Sequence, residues 1–144
     1  MKKIINFDMD GTLANFYGVE GWLQDLKNGN VRPYKVAKPL LNFSQLARQI
    51  NRLQKSGYQV NIISWLSKFG SNEFMQQIAN TKKAWLKQHL PSVHFDNIVI
   101  VRYGTPKSTC IKGGILFDDE EGNRIEWGVG AYDVNNILDI LKAL

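Results

Sequence analysis

Along this chain, short dense apolar runs alternate with stretches in which apolar residues recur every three or four positions. The runs are residues 3–7 (KIINF), 58–64 (YQVNIIS), 97–102 (NIVIVR) and 114–119 (GILFDD). Each is too short for an ordinary helix and all but the last are rich in β-branched residues, so each predicts a buried strand. Residues 42–57 carry Phe43, Leu46, Ile50 and Leu53 at helical spacing, with Gly57 as the stop. Residues 71–91 open on Ser71, a candidate N-cap, keep Phe74, Ile78, Trp85 and Leu86 near one face, and end at Pro91. A last helix is predicted from Asp133 onward.

Strands that alternate with helices predict an α/β fold, a Rossmann-like three-layer sandwich with a mainly parallel sheet. Residues 14–39 break the alternation. They hold three glycines, two prolines and four aromatics, and they predict a small cap or lid inserted after the first strand, with a short helix over residues 19–27. With 144 residues the chain is expected to be a single domain over 1–144.

Composition narrows the setting. Cys110 is the single cysteine, so no internal disulfide forms, and a lone thiol points to a reducing compartment. The apolar run at the N-terminus is too short for a signal sequence or a membrane span, so a cytoplasmic location and no membrane partner are expected. The formal charge of +5 favours anionic partners such as phosphate esters, nucleotides or nucleic acid, although a solvated lysine surface has the same composition.

The polar residues that follow the predicted strands carry the chemistry, because ligands of parallel sheets bind at the carboxyl ends of the strands. Those residues are Asp8 and Asp10 after the first strand, Ser64 at the end of the second, Lys107 in the loop after the third, and Asp118 and Asp119 after the fourth. Four carboxylates at one edge cannot all stay ionised without a cation, and hard oxygen donors suit Mg²⁺. The turn at Gly11 and Thr12 offers backbone N–H groups to an anion, Ser64 offers a hydroxyl, and Lys107 offers a positive charge. Other metals fit less well. Cys110, His89 and His94 lack zinc-ligand spacing, and both histidines are expected in surface or packing roles. An EF-hand loop counted from Asp8 puts Leu13 where glycine is required and Val19 where glutamate is required.

DMDGT after an apolar strand, a hydroxyl after the second strand, a loop lysine and LFDDEEGN after a later strand together resemble the four motifs of haloacid-dehalogenase-type phosphohydrolases. The longer stretches DMDGTLANF, KKAWLKQHLP and NIVIVRYGTPKS are similar to 5'(3')-deoxyribonucleotidases. The resemblance implies that Asp8 is a nucleophile carrying the phosphoryl group and that Asp10 is the general acid and base. It implies that Ser64, Lys107, Gly11 and Thr12 hold the phosphate. It places Mg²⁺ on Asp8, the Asp10 carbonyl and one of the last pair, with Asp119 favoured as the direct ligand and Asp118 behind it. It also implies base stacking on Phe16, with Tyr17, Trp22 and Trp65 extending the platform, since aromatic faces stack on any base.

The implied activity is that of a Mg²⁺-dependent phosphomonoesterase acting through an aspartyl-phosphate, with nucleoside monophosphates as the expected substrates. The 144 residues leave little room for that branch's helical cap. Another small phosphate ester, or a nucleic-acid end, therefore stays open as substrate. Two non-enzymatic alternatives differ in what they require. A phospho-acceptor switch uses its acidic pair first, its acceptor aspartate next and its lysine last, whereas here the D-x-D comes first and the acidic pair last. A nucleic-acid-binding module would use a basic stripe of Lys82, Lys83 and Lys87 beside Arg48, Arg52 and Lys55.

Overall fold

The computed structural model describes residues 2–144. Its centre is a five-stranded sheet formed by β1 (Ile4–Phe7), β2 (Gln59–Trp65), β3 (Asn97–Val101), β4 (Ile115–Phe117) and β5 (Ala131–Tyr132). The strands run in the order β3-β2-β1-β4-β5, and every pairing is parallel. Helices flank the sheet: α1 (Trp22–Lys27), α2 (Arg32–Val36), α3 (Phe43–Lys55), α4 (Asn72–His89), α5 (Glu121–Trp127) and α6 (Ile137–Ala143). The expected Rossmann-like α/β architecture is thus the one observed.

The burial of the strands follows their place in the sheet. The central strands β1, β2 and β4 are buried almost throughout, while the edge strand β3 is half exposed. Their register is held by an asparagine ladder. Asn6, Asn61 and Asn97 are paired across three adjacent strands. The Asn97 side-chain amide donates to Asn61 Oδ1 at 3.0 Å, Asn61 donates to Asn6 Oδ1 at 2.9 Å, and Asn6 donates to the Ile115 carbonyl at 3.1 Å. A slip of one residue would strand buried amides without partners, at about 1–3 kcal/mol each. The ladder therefore holds level the strand ends that carry Asp8, Ser64 and Asp118.

The two long helices form where their apolar stripes and caps specify them. Asn42 accepts the Gln45 N–H at 3.0 Å, and Ser71 accepts the Phe74 N–H at 3.1 Å. Such caps are worth about 1 kcal/mol each. Leu46, Ile50 and Leu53 of α3 and Trp85 and Leu86 of α4 enter the main core.

Several elements depart from the sequence expectation. The helix expected over residues 19–27 begins at Trp22, a second helix follows it at Arg32–Val36, and β5 and α5 are additional. The expected C-terminal helix starts at Ile137, after a 3₁₀ turn over Val134–Asn136. These elements are short, and short segments carry too few residues for a periodic signal.

The basic stripe loses Lys82, while Lys83, Lys87, Arg48, Arg52 and Lys55 are exposed. Lys82 is 1% exposed and points into the sheet edge, and Arg52 donates to the Leu141 carbonyl at 2.8 Å, tying α6 to α3. Residues 14–39 leave and rejoin the body side by side, through Asn15 N–H to the Lys38 carbonyl at 2.8 Å and Leu40 N–H to the Leu13 carbonyl at 2.9 Å. Their apolar residues Phe16, Leu26 and Tyr34 make a second small core with Phe74 and Ile78 of α4. Among the described residues no helix is long and apolar enough to cross a membrane.

Candidate active site

The chain leaves β1 through Asp8 and turns at once. Gly11 holds φ at +82°, and a Cβ there would lie 2.3 Å from Asp119 Oδ2, so the position admits only glycine without rearrangement. The turn is closed internally. Gly11 N–H donates to the Ala14 carbonyl at 2.8 Å, and Thr12 N–H donates to the Met9 carbonyl at 3.1 Å. These two N–H groups, expected to cradle an anion, are therefore already used. Met9 and Asp10 N–H make no hydrogen bond among the described residues, and they are the amides the turn leaves free. Thr12 works through its side chain instead, with its hydroxyl 2.9 Å from Asp8 Oδ2 and 3.2 Å from Asp119 Oδ1.

Lys107 is the hub of the floor. It opens the 3₁₀ turn after β3, is 1% exposed, and donates to Asp8 Oδ1 at 2.8 Å and to Asp118 Oδ2 at 2.7 Å. Burial alone would lower its affinity for the proton, but Asp8 and Asp118 outweigh burial and hold it above the usual lysine value. Asp118 is fully buried and fully bonded. Its Oδ2 also accepts from the Asn123 amide at 3.1 Å, and its Oδ1 accepts from Glu120 N–H at 3.0 Å. Burial, with Asp8 adding to it, pushes the Asp118 carboxyl up to about 6. Asp119 is less engaged, and burial with the charge of Asp8 pushes it up to about 8. Asp8, Asp118 and Asp119 each present an oxygen within 4.8 Å of the other two, the only such metal-capable group among the described residues.

A second lysine, unforeseen in the sequence, faces Asp10. Lys82 Nζ lies 3.0 Å from Asp10 Oδ2, 2.6 Å from Ser64 Oγ and 2.6 Å from the Trp65 carbonyl, and it sits over the Tyr34 ring at 5.2 Å. Its helical position had the signal. Lys82 is four residues after Ile78 and three before Trp85, which puts it on the buried stripe of α4. Ser64 is fully buried, its oxygen accepts from Lys82, and its own proton has no acceptor among the described residues. Burial raises the Asp10 carboxyl, Lys82 pulls it down, Asp8 pushes it up, and the balance is upward.

Above this floor lies a cavity of about 250 Å³, lined by Asp8, Asp10 and Lys107 below and by aromatic rings at its sides. Phe16 lines it but is only 2% exposed, packed at 4.5 Å from Tyr34, 5.2 Å from Tyr17 and 5.4 Å from Trp22, centroid to centroid. Of the other rings lining it, Tyr17, Phe69 and Tyr103 are exposed, and Trp22 and Trp65 are half-buried. Trp65 is anchored by its indole N–H to the Thr105 carbonyl at 2.8 Å and lies 5.0 Å from Tyr103. The two histidines lie away from this site, His89 against Trp85 at 4.4 Å and His94 at the surface. In chemical terms the site pairs two carboxylates with two buried ammonium groups, beside two further carboxylates and under an aromatic wall.

The family model described as "5' nucleotidase, deoxy (Pyrimidine), cytosolic type C protein" matches residues 39–129. No curated protein matches the chain. Among solved structures, D,D-heptose 1,7-bisphosphate phosphatase from Burkholderia thailandensis is similar at 14% identity and a TM-score of 0.58, over 99% of this chain and 97% of that one. D,D-heptose 1,7-bisphosphate phosphatase from B. bronchiseptica, solved with magnesium and phosphate, is similar at 13% identity and a TM-score of 0.53, over 99% of this chain and 97% of that one. At these identities the likeness is one of fold.

Proposed function

The chain belongs to the cytosolic type C 5'-nucleotidase family of haloacid-dehalogenase-type phosphohydrolases, and from that premise we propose that it is a Mg²⁺-dependent phosphomonoesterase acting on nucleoside monophosphates. The observation that carries the proposal is the placement of Asp8. Its carboxylate lies at the cavity floor, with one oxygen on Lys107 and the other on the Thr12 hydroxyl, and Asp10 lies on the same turn.

The donor set fits Mg²⁺. Three carboxylate oxygens converge, a single ammonium offsets only part of their charge, and all the donors are hard oxygens. Asp8 and the Asp10 carbonyl would hold the ion with Asp119, whose carboxylate is the less engaged of the last pair, while Asp118 keeps Lys107 and Asn123 in place. When bound, Mg²⁺ screens the negative charge that otherwise repels a carboxylate from a phosphate.

The remaining chemistry belongs to the chain's own groups. Asp8 attacks phosphorus, a new O–P bond forms to its carboxylate, and the ester O–P bond breaks. Asp10, whose raised proton affinity suits an acid, delivers its proton to the departing oxygen. Asp10 then takes a proton from water as that water attacks the aspartyl-phosphate. Inorganic phosphate leaves and both aspartates return to their starting state. Lys107, Lys82, the Ser64 hydroxyl and the free N–H groups of Met9 and Asp10 stabilise the phosphoryl oxygens, while Gly11 and Thr12 hold Asp8 and Asp119 in place. Residues 14–39 serve as a small lid, and the aromatic wall receives the base, with Phe16 as its backing and the half-buried Trp65 among its lining rings. A cytoplasmic location suits nucleotide substrates.

The test is a panel of nucleoside monophosphates and p-nitrophenyl phosphate, assayed with Mg²⁺ and with EDTA. Turnover that depends on Mg²⁺, vanishes in Asp8→Asn and favours nucleotides is expected. Activity retained in Asp8→Asn would end the covalent mechanism, and indifference to the nucleoside would move the substrate to another phosphate ester or a nucleic-acid end.

A further inference from the structure

A second cavity adjoins the catalytic one. The two share Leu66, Ser67, Lys68 and Tyr103, and the second continues to Arg102, the residue that follows β3, and to Met75 of α4. No carboxylate lines it. Its two cations, Lys68 and Arg102, have no salt-bridge partner among the described residues, whereas the catalytic lysines Lys82 and Lys107 are both paired. The boundary between the cavities is aromatic, because Tyr103 is 53% exposed and stands against the anchored Trp65.

The charges around the mouth are therefore divided. Glu120 lies on the β4 side, and Lys68 and Arg102 lie on the β2–β3 side. An anionic extension of a substrate is repelled from the first side and drawn to the second. A nucleoside stacked on Tyr103 with its scissile phosphate at Asp8 has this basic groove as its continuation.

We propose that the Lys68–Arg102 groove binds a second phosphate of the substrate, so that the preferred substrate is a nucleotide esterified at two positions. This inference rests on the phosphatase assignment of the adjoining pocket. The second phosphate has two sources with the same chemistry: a free nucleoside bisphosphate, or the first phosphodiester of a phosphate-terminated oligonucleotide.

The experiment compares kcat/KM for a deoxynucleoside monophosphate, the bisphosphate of the same nucleoside and a dinucleotide with a terminal phosphate. A preference of about tenfold for one or both doubly esterified substrates is expected, the size that two solvent-exposed charge contacts supply. Arg102→Gln, alone and with Lys68→Gln, should erase that preference, and Arg102→Gln should leave monophosphate turnover unchanged. A preference seen with the bisphosphate alone assigns the groove to free nucleotides, and one shared by the dinucleotide assigns it to chain ends. Equal rates in the wild type, or a preference that survives both substitutions, overturn the proposal. Calorimetry on the Asp8→Asn protein reads the groove without turnover. Tighter binding of the bisphosphate that depends on Arg102 supports the groove even if no substrate is hydrolysed, a result that would instead count against the phosphatase assignment.

Discussion

At the floor of the candidate active site, Lys107 holds Asp8 and Asp118 at 2.8 and 2.7 Å, and Lys82 holds Asp10 and Ser64 at 3.0 and 2.6 Å. On the wall built by residues 14–39, Phe16, Tyr34 and Trp22 hold one another only through ring contacts of 4.5 and 5.4 Å. The floor is directional. Each charged group has a named partner, and losing one leaves a buried charge exposed to a low dielectric. The wall is held by apolar area, which tolerates exchange of shape so long as volume is kept. The contrast teaches that substitutions on the floor and on the wall should differ in kind, and under the proposed function the floor would serve the reaction and the wall the choice of substrate.

The sharpest way to break that contrast is Asp8→Asn, which should lower kcat by about 10⁵-fold on every phosphate ester. A loss that varied with the leaving group would mean that the floor also selects. Lys82→Met comes next. It leaves Asp10 without its cation, and about a hundredfold loss in kcat with about 3 kcal/mol lower stability in urea is expected. A variant of full stability would show that the Lys82–Asp10 pair behaves as a surface pair.

The wall should respond differently. Phe16→Ala is expected to cost about 3 kcal/mol of stability by opening the small core. Tyr17→Ala removes a half-exposed ring and should lower kcat/KM about fivefold on nucleotides while sparing p-nitrophenyl phosphate. Equal losses on both substrates would place Tyr17 outside base binding. The smallest effect concerns pH. In the metal-free protein, Asp118 at about 6 and Asp119 at about 8 lie above the unfolded carboxylate value of 3.8. Groups raised in this way add stability in acid and lose it as pH rises through those values. Mg²⁺ replaces the protons, so the Mg²⁺-induced rise in Tm should be a few degrees larger near about pH 8.5 than near about pH 5.5. The reverse order would mean that the carboxylates are not the ion's ligands.

Much of the floor was legible beforehand, because polar residues at the ends of dense apolar strands have nowhere to go but the sheet edge. Asp8, Asp10, Asp118, Asp119 and Lys107 were visible for that reason. Lys82 was obscured by its neighbour Lys83, since two adjacent lysines look like a solvated helix face until the stripe of Ile78 and Trp85 is extended through one of them. Asn123 was hidden in α5, a helix too short to show a period. The sequence does not reveal which N–H groups a turn consumes internally, so the engagement of the Gly11 and Thr12 amides within their own turn was not legible in it.

What the sequence by itself determined is the order of strands and helices, the paired aspartates with their glycine, and the family motifs, all of them local patterns whose physics acts within a few residues. The tertiary structure alone decided which lysine faces which carboxylate, which amides remain free, that Phe16 is backing rather than open face, and that the pocket over Asp8 runs on into a basic groove. Those depend on side chains brought together from up to 107 residues apart, and charge, burial and hydrogen bonding at such contacts are properties of position in space.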